Sequence, residues 1–179
     1  MSSTRRDLLL TAAACFVVTP ATGTAMTSPT AKEIEQRLVK LADAYQDRLS
    51  STPYGSLSRP EQVFGGVWEL EAEVNNGGFS QYFLNSSGRY APLAPDALQA
   101  IGAPHSAEIA QAALAVMGPR VHWTDDDNRQ EVVEHMGARA EAALDVVDTK
   151  FYACPEDLSA LLYRYVAEHR TAFALPVGF

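Results

Sequence analysis

The sequence predicts an all-α fold, a compact multi-helix domain with short connections, and three observations carry that expectation. Apolar residues recur at three- and four-residue steps through most of the chain after residue 30. Clusters of Gly, Pro, Asn and Ser separate those stretches where helices stop. No comparable set of segments alternates apolar and polar residues as half-buried strands do.

The elements follow in order. Ile34, Leu38, Leu41, Tyr45 and Leu49 form the buried stripe of a first helix, and Thr30 with Glu33 fits a capping box at its start. Ser50 to Pro60, with Pro53 and Gly55, reads as a connection. A second helix is expected from about Pro60 to Val74, with Val63, Val67, Leu70 and Val74 inward and Phe64 and Trp68 widening the stripe. Asn75-Asn76-Gly77-Gly78 should break it, because Asn and Gly tolerate the left-handed conformation that ends helices. A positive φ at Gly77 would make Gly77→Val costly. Phe79 to Leu84 can form another short helix, stopped by Asn85-Ser86-Ser87-Gly88. Leu93 to Ile101 is a short helix with Pro95 near its start and Gly102 beyond its end. Ser106 can cap the next helix, with Ile109, Ala113 and Val116 as a narrow stripe before Gly118-Pro119. One long helix is expected from about Asp125 to Asp148, with Val132, Val133, Met136, Ala140, Ala143, Leu144 and Val147 inward. Pro155 opens a last helix with Leu158, Leu161, Leu162, Tyr165 and Val166 in the core.

A chain of 179 residues with 47% hydrophobic and 20% charged residues can bury an ordinary single core, so it is not read as disordered. The formal charge is −8, with 14 basic against 22 acidic residues. Such a surface repels nucleic acid and anionic membranes, and attracts a basic partner where the carboxylates cluster. Solubility alone also accounts for an acidic balance.

Residues 1–25 read differently from residues 26–179, which form the single helical domain. Arg5-Arg6, the apolar stretch Leu8 to Val18 and the small residues Gly23-Thr24-Ala25 have the layout of a secretory signal. Thr4-Arg5-Arg6-Asp7-Leu8-Leu9 resembles a twin-arginine export signal, with Leu8 in place of the usual Phe. The alternative is a mis-assigned start, with translation beginning at Met26 and the product staying in the cytoplasm. The apolar run is too short for a transmembrane anchor. Removing Arg5, Arg6 and Asp7 leaves 12 basic and 21 acidic residues, a net −9. Only Cys154 then remains, so the mature chain has no intramolecular disulfide.

The most unusual segment is Glu69-Leu70-Glu71-Ala72-Glu73-Val74-Asn75-Asn76-Gly77-Gly78-Phe79-Ser80-Gln81-Tyr82-Phe83. Glu69 and Glu73 share a helix face, whereas Glu71 points elsewhere. Asn75 and Asn76 are placed to satisfy backbone groups at the turn through their amides. The same residues, with Glu73, Gln81 and Tyr82, could instead offer a polar contact surface to a ligand. Asp125-Asp126-Asp127 stands at a predicted helix start, where carboxylates suit the helix dipole, and Glu131 and Glu134 extend the charged region. Calcium-loop spacing is missing there. Glu131 and His135 share a face, but no Glu-x-x-His motif is present, and His105, His122 and His169 lack ligand spacing. No catalytic constellation, metal site or cofactor is therefore expected.

The block Glu73-Val74-Asn75-Asn76-Gly77-Gly78-Phe79 resembles the signature of a family of small helical bacterial domains of unknown function that includes a DNA-mimic protein. The resemblance continues through Asn85-Ser86-Ser87-Gly88, Ala97 to Ala103, Leu144-Asp145-Val146-Val147-Asp148 and the final helix, from about Ala31 to Phe173. It implies a non-enzymatic protein-binding module whose surface carboxylates imitate DNA phosphates and occupy a basic DNA-binding protein. The candidate contact residues are then Glu69, Glu73, Asn75, Asn76, Gln81, Tyr82, Asp125, Asp126, Asp127, Glu131 and Glu134. Two other functions stay open: an exported small-ligand or peptide-binding domain centred on the Asn-Asn-Gly-Gly turn, and a metal-dependent enzyme. Export and DNA mimicry compete, since an exported protein does not meet a cytosolic repressor.

Overall fold

The computed structural model describes residues 28–153, 155–175 and 179. The expectations for the N-terminal segment up to Ala25, and for Cys154, lie outside them. The described residues fold into seven α-helices with no strand among them, as the apolar periodicity predicts. The helices are α1 (Ala31–Ser51), α2 (Arg59–Leu84), α3 (Ala94–Ile101), α4 (Pro104–Met117), α5 (Asp126–Glu134), α6 (Ala138–Tyr152) and α7 (Leu158–Glu168). A 3₁₀ segment, Ser86–Leu93, joins α2 to α3. None of these helices is long and apolar enough to cross a membrane.

The capping box predicted for α1 is formed: the Thr30 hydroxyl accepts from the Glu33 amide, and the Glu33 carboxylate accepts from the Thr30 amide at 2.7 Å. A second one, missed in the sequence, starts α2, where the Glu61 carboxylate accepts from the Ser58 amide at 2.8 Å. Glu61 is buried and also accepts from Arg48 of α1. The Arg48 hydrogen bond, more than the two to Ser58, holds the Glu61 carboxyl below its ordinary range against the opposing effect of burial.

The central element is α2, which packs against α1, α3, α5, α6, α7 and the 3₁₀ segment. That position explains its composition. Val63, Phe64, Val67, Leu70 and Val74, then Phe79, Tyr82 and Phe83, are all buried, so the helix is apolar over more than one stripe. Leu38 and Leu41 of α1, Leu98 of α3, Leu144 of α6 and Leu162 of α7 close around it. Each such side chain contributes about 2 kcal/mol by leaving water.

Three boundaries differ from the sequence reading. The long helix expected from Asp125 to Asp148 is two helices, because Gly137 has φ 76° and turns the chain between α5 and α6. Ser106 does not cap α4: it lies inside the first turn, and its hydroxyl donates to Glu156 at 2.6 Å. The last helix opens at Leu158 behind Asp157, whose carboxylate accepts from the Ala160 amide at 2.9 Å, not at Pro155. Asn75-Asn76-Gly77-Gly78 breaks the helix as expected: the backbone is non-helical at Gly77 and Gly78, and α2 is two helical segments that meet at this kink.

Glu71 belongs to this frame rather than to the candidate site. It is only partly buried, yet its carboxyl is pushed up to about 7, first by burial and then by the carboxylates of Asp157 and Glu35. A carboxyl raised above its ordinary 4.5 keeps its proton in the fold where the unfolded chain has lost it. The stability it contributes is full below about 4.5 and is lost as pH rises through about 7. Glu71→Gln should therefore stabilise the domain at pH 8 by about 2 kcal/mol, after discounting for solvent screening, and by much less at pH 5. Urea denaturation at the two pH values checks this; an equal gain at both would assign the effect to packing.

Candidate functional site

Two side chains of α6, together with Glu73 of α2 itself, mend the kink in α2. In a regular helix the Gly78 amide would donate to the Val74 carbonyl. Here the Tyr152 hydroxyl of α6 comes between them: it donates to the Val74 carbonyl at 2.9 Å and accepts from the Gly78 amide. The next amide, Phe79, donates at 2.8 Å to the carboxylate of Asp148, also on α6. Burial raises the Asp148 carboxyl above its ordinary range, the Phe79 amide opposes that, and Asp145 adds to it. On the other side of the kink, Glu73 Oε2 accepts from the Gln81 amide group at 2.8 Å and from that of Asn85 at 2.7 Å. Glu73 thus ties the last turn before the break to the two turns after it.

Several expectations for the block change. Gly77 has φ −164°, which any residue adopts; the positive φ, 74°, belongs to Gly78. Asn75 and Asn76 are exposed, and it is Asp148 and Tyr152, not their amides, that satisfy the backbone. Of the residues predicted around the block, Glu73 and Gln81 are joined directly, and Glu69 and Glu73 are each partly buried on one face of α2. Tyr82 is 1% exposed, and its hydroxyl has no hydrogen-bond partner among the described residues. Burial first, then Tyr54, Glu69 and Glu73, hold that phenol well above its ordinary range.

The second candidate region is α5. Asp125, Asp126, Asp127, Glu131 and Glu134 are all exposed. Asp125 is the N-cap and accepts from the Asn128 amide at 3.0 Å. Between these carboxylates stands Arg129, which is 0% exposed. Its guanidinium donates to the Phe83 carbonyl at 2.6 Å, the Asn85 carbonyl at 3.0 Å and the Trp123 carbonyl at 2.9 Å. It also pairs with Asp126 at 3.0 Å, and Asp126 in turn meets Arg89 at 3.3 Å. The sequence reading missed Arg129, because a lone arginine among acids on an exposed helix looks like part of a solvated surface.

The two regions are neighbours. Asn85 donates from its side chain to Glu73 and accepts at its carbonyl from Arg129, which holds Asp126. A chain of three contacts, each 3.0 Å or shorter, therefore joins the acidic face of α2 to the start of α5. Beyond that junction, Asp127, Glu131 and Glu134 follow at steps of four and three residues, one helix face, with about 6 and 4.5 Å of rise between them. The positive charge within α5 is directed inward, so its outward face is anionic.

His135 and Glu131 do not converge through their side chains: His135 Nδ1 lies 2.9 Å from the Glu131 backbone carbonyl. Among the described residues no three His, Cys, Asp or Glu side chains come together in a way that could hold a metal ion. His105 pairs with Glu156 at 3.0 Å, away from both regions.

No curated protein and no solved structure gives a significant match to the chain. A family model does: that of the DMP19-like proteins matches residues 55–169, more than half of the chain. The matched stretch spans α2 to α7, and so includes the kink, the α6 side chains that mend it, and the α5 carboxylates with the buried arginine behind them. The chain belongs to the DMP19-like protein family.

Proposed function

We propose that the domain is a protein-binding module of the DNA-mimic type, which presents carboxylates to the basic surface of a DNA-binding protein. One observation carries the reading: α5 exposes every carboxylate it has and buries its arginine. A DNA-binding surface meets phosphates with Lys and Arg, and a row of fixed carboxylates on a helix answers the same groups. Family membership and the net acidic charge support it. The alternative, a ligand site centred on Asn75-Asn76-Gly77-Gly78, has less support, since Glu73 and Gln81 already engage one another there.

The structure dictates how to test this. Reversing Asp125, Asp126 and Asp127 together would remove the N-cap of α5 and place a cation beside Arg129. Asp127, Glu131 and Glu134 are the residues to change, since none of them holds the fold in this way. The wild-type domain should capture a DNA-binding protein at low salt, lose it steeply as salt rises, and release it to competing duplex DNA. The variant with all three changed to Lys should keep its thermal transition and lose the capture. A partner that ignores both DNA and the triple variant would overturn charge mimicry.

We also propose that the twin-arginine-like segment sets where a partner is met. The N-terminal mass of the natural product separates export from a start at Met26.

A further inference from the structure

We propose that Gly77-Gly78 is a hinge at which α2 straightens into one continuous helix, so that α1 and the first half of α2 are exchanged between two copies of the chain. The exchange does not depend on mimicry, because α5 and the groups that Arg129 holds all follow the hinge in sequence. The bend is sharp. Glu73 accepts from the side chain of Asn85, twelve residues on, at 2.7 Å. Along a straight helix those two positions are separated by about 18 Å of rise. Yet only two of the 26 residues of α2 leave helical geometry, and both are glycines. Asn75, Asn76 and Gly77 are exposed, so the hinge itself lies at the surface.

The backbone is satisfied in either form. In the bent form the Tyr152 hydroxyl serves the Val74 carbonyl and the Gly78 amide, and Asp148 accepts from the Phe79 amide. In a straight helix the Gly78 amide donates to the Val74 carbonyl and the Phe79 amide to the Asn75 carbonyl, and the α6 side chains are no longer needed. Straightening also releases the φ of 74° at Gly78. What a lone chain loses by straightening is tertiary contact. Arg37 of α1 donates to the Tyr163 hydroxyl at 2.6 Å, and the Tyr45 hydroxyl of α1 accepts from the Ala174 amide at 2.7 Å. Glu73, before the hinge, accepts from Gln81 and Asn85 after it. In a twofold dimer each of these contacts forms again with the same partners, now across chains. The occupant of the opened surface is therefore a second copy, whose own first half is the segment shaped to fill it. The poor helix propensity of the two glycines and the high effective concentration of a tethered segment keep the bent monomer favoured in dilute solution.

Refolding the full chain from denaturant at a concentration on the order of millimolar, followed by sizing with light scattering, reads the exchange. A dimer that survives dilution is expected beside the monomer. Gly77→Ala combined with Gly78→Ala favours the straight helix and strains the bent one, so it should raise the dimerisation constant by at least about tenfold. Tyr152→Phe withdraws a hydroxyl that only the bent form uses and should raise it as well, which decides the matter where the double glycine variant does not fold. Ala72 and Ser86 are exposed on either side of the hinge. Nitroxide labels at Ala72→Cys and Ser86→Cys, with Cys15 and Cys154 changed to Ser and labelled chains diluted by unlabelled ones, read the shape of α2. In the dimer the two backbone positions should stand about 20 Å apart, well beyond their separation in the bent monomer. Parent and both variants all refolding only to monomers, or a dimer whose labels keep the monomer's separation, would overturn the proposal.

Discussion

Arg129→Met should destabilise the domain by about 4 kcal/mol, close to the limit of what a single substitution does to a fold of this size. The methionine fills much of the volume, so packing is largely kept. What is lost is the buried guanidinium that donates to the carbonyls of Phe83, Asn85 and Trp123, of which the Asn85 carbonyl keeps the Gly88 amide. Each abandoned carbonyl costs about 1–3 kcal/mol, and relaxation recovers part of that. Arg129→Lys should recover only a fraction, because a point charge cannot reach three carbonyls held in different directions. Asp126→Asn should cost less than about 1 kcal/mol, since Asp126 is 48% exposed and its pairing is screened. Chemical denaturation of the three variants checks the order. If Arg129→Met and Asp126→Asn cost the same, the ion pair and not the carbonyls would be what Arg129 supplies.

The same residue shows how far the sequence could be read. The helices were legible because burial imposes a period, and the stripes at Leu38, Leu41, Tyr45 and at Leu158, Leu162, Val166 leave that period intact. The split at Gly137 was not, because a single glycine within a helical pattern is tolerated at a cost of about 1 kcal/mol and does not by itself mark a break. At the candidate site the acidic residues were visible, and so was the break in α2. Their partners were not. Asp148 and Tyr152 lie some seventy residues from the kink, and the Leu144-Asp145-Val146-Val147-Asp148 block was legible only as one more stretch of the family resemblance. Arg129 had no local signal, since its partners are backbone carbonyls, which carry no residue type. Asp126, read as surface charge, is spent on holding it.

Gly78→Ala should cost about 3 kcal/mol, while Gly77→Ala, one position earlier, should cost less than about 1 kcal/mol. The two glycines differ in what surrounds them, not in the sequence motif they share. Gly78 has φ 74°, a conformation that strains any L side chain, and a Cβ built there collides with the carboxylate of Asp148, 2.9 Å from its Cγ. That carboxylate cannot withdraw without releasing the Phe79 amide, which has no other acceptor once the helix is broken. The strain and the collision therefore add. Gly77 has an extended φ, and its Cβ would meet the amide end of Gln81, which can turn away, and the Gln81 Cβ at 3.0 Å, which a shift of a few tenths of an ångström relieves. Turning costs the Gln81–Glu73 hydrogen bond, one of two that Glu73 receives, so the fold survives on the bond from Asn85. Thermal unfolding of both variants makes the comparison, and Asp148→Ala combined with Gly78→Ala refines it. In the double variant the collision is gone but the positive φ remains, so its cost should be less than the two single costs together. Strict additivity would show that Asp148 and Gly78 do not meet, and that the kink is held by Tyr152 alone.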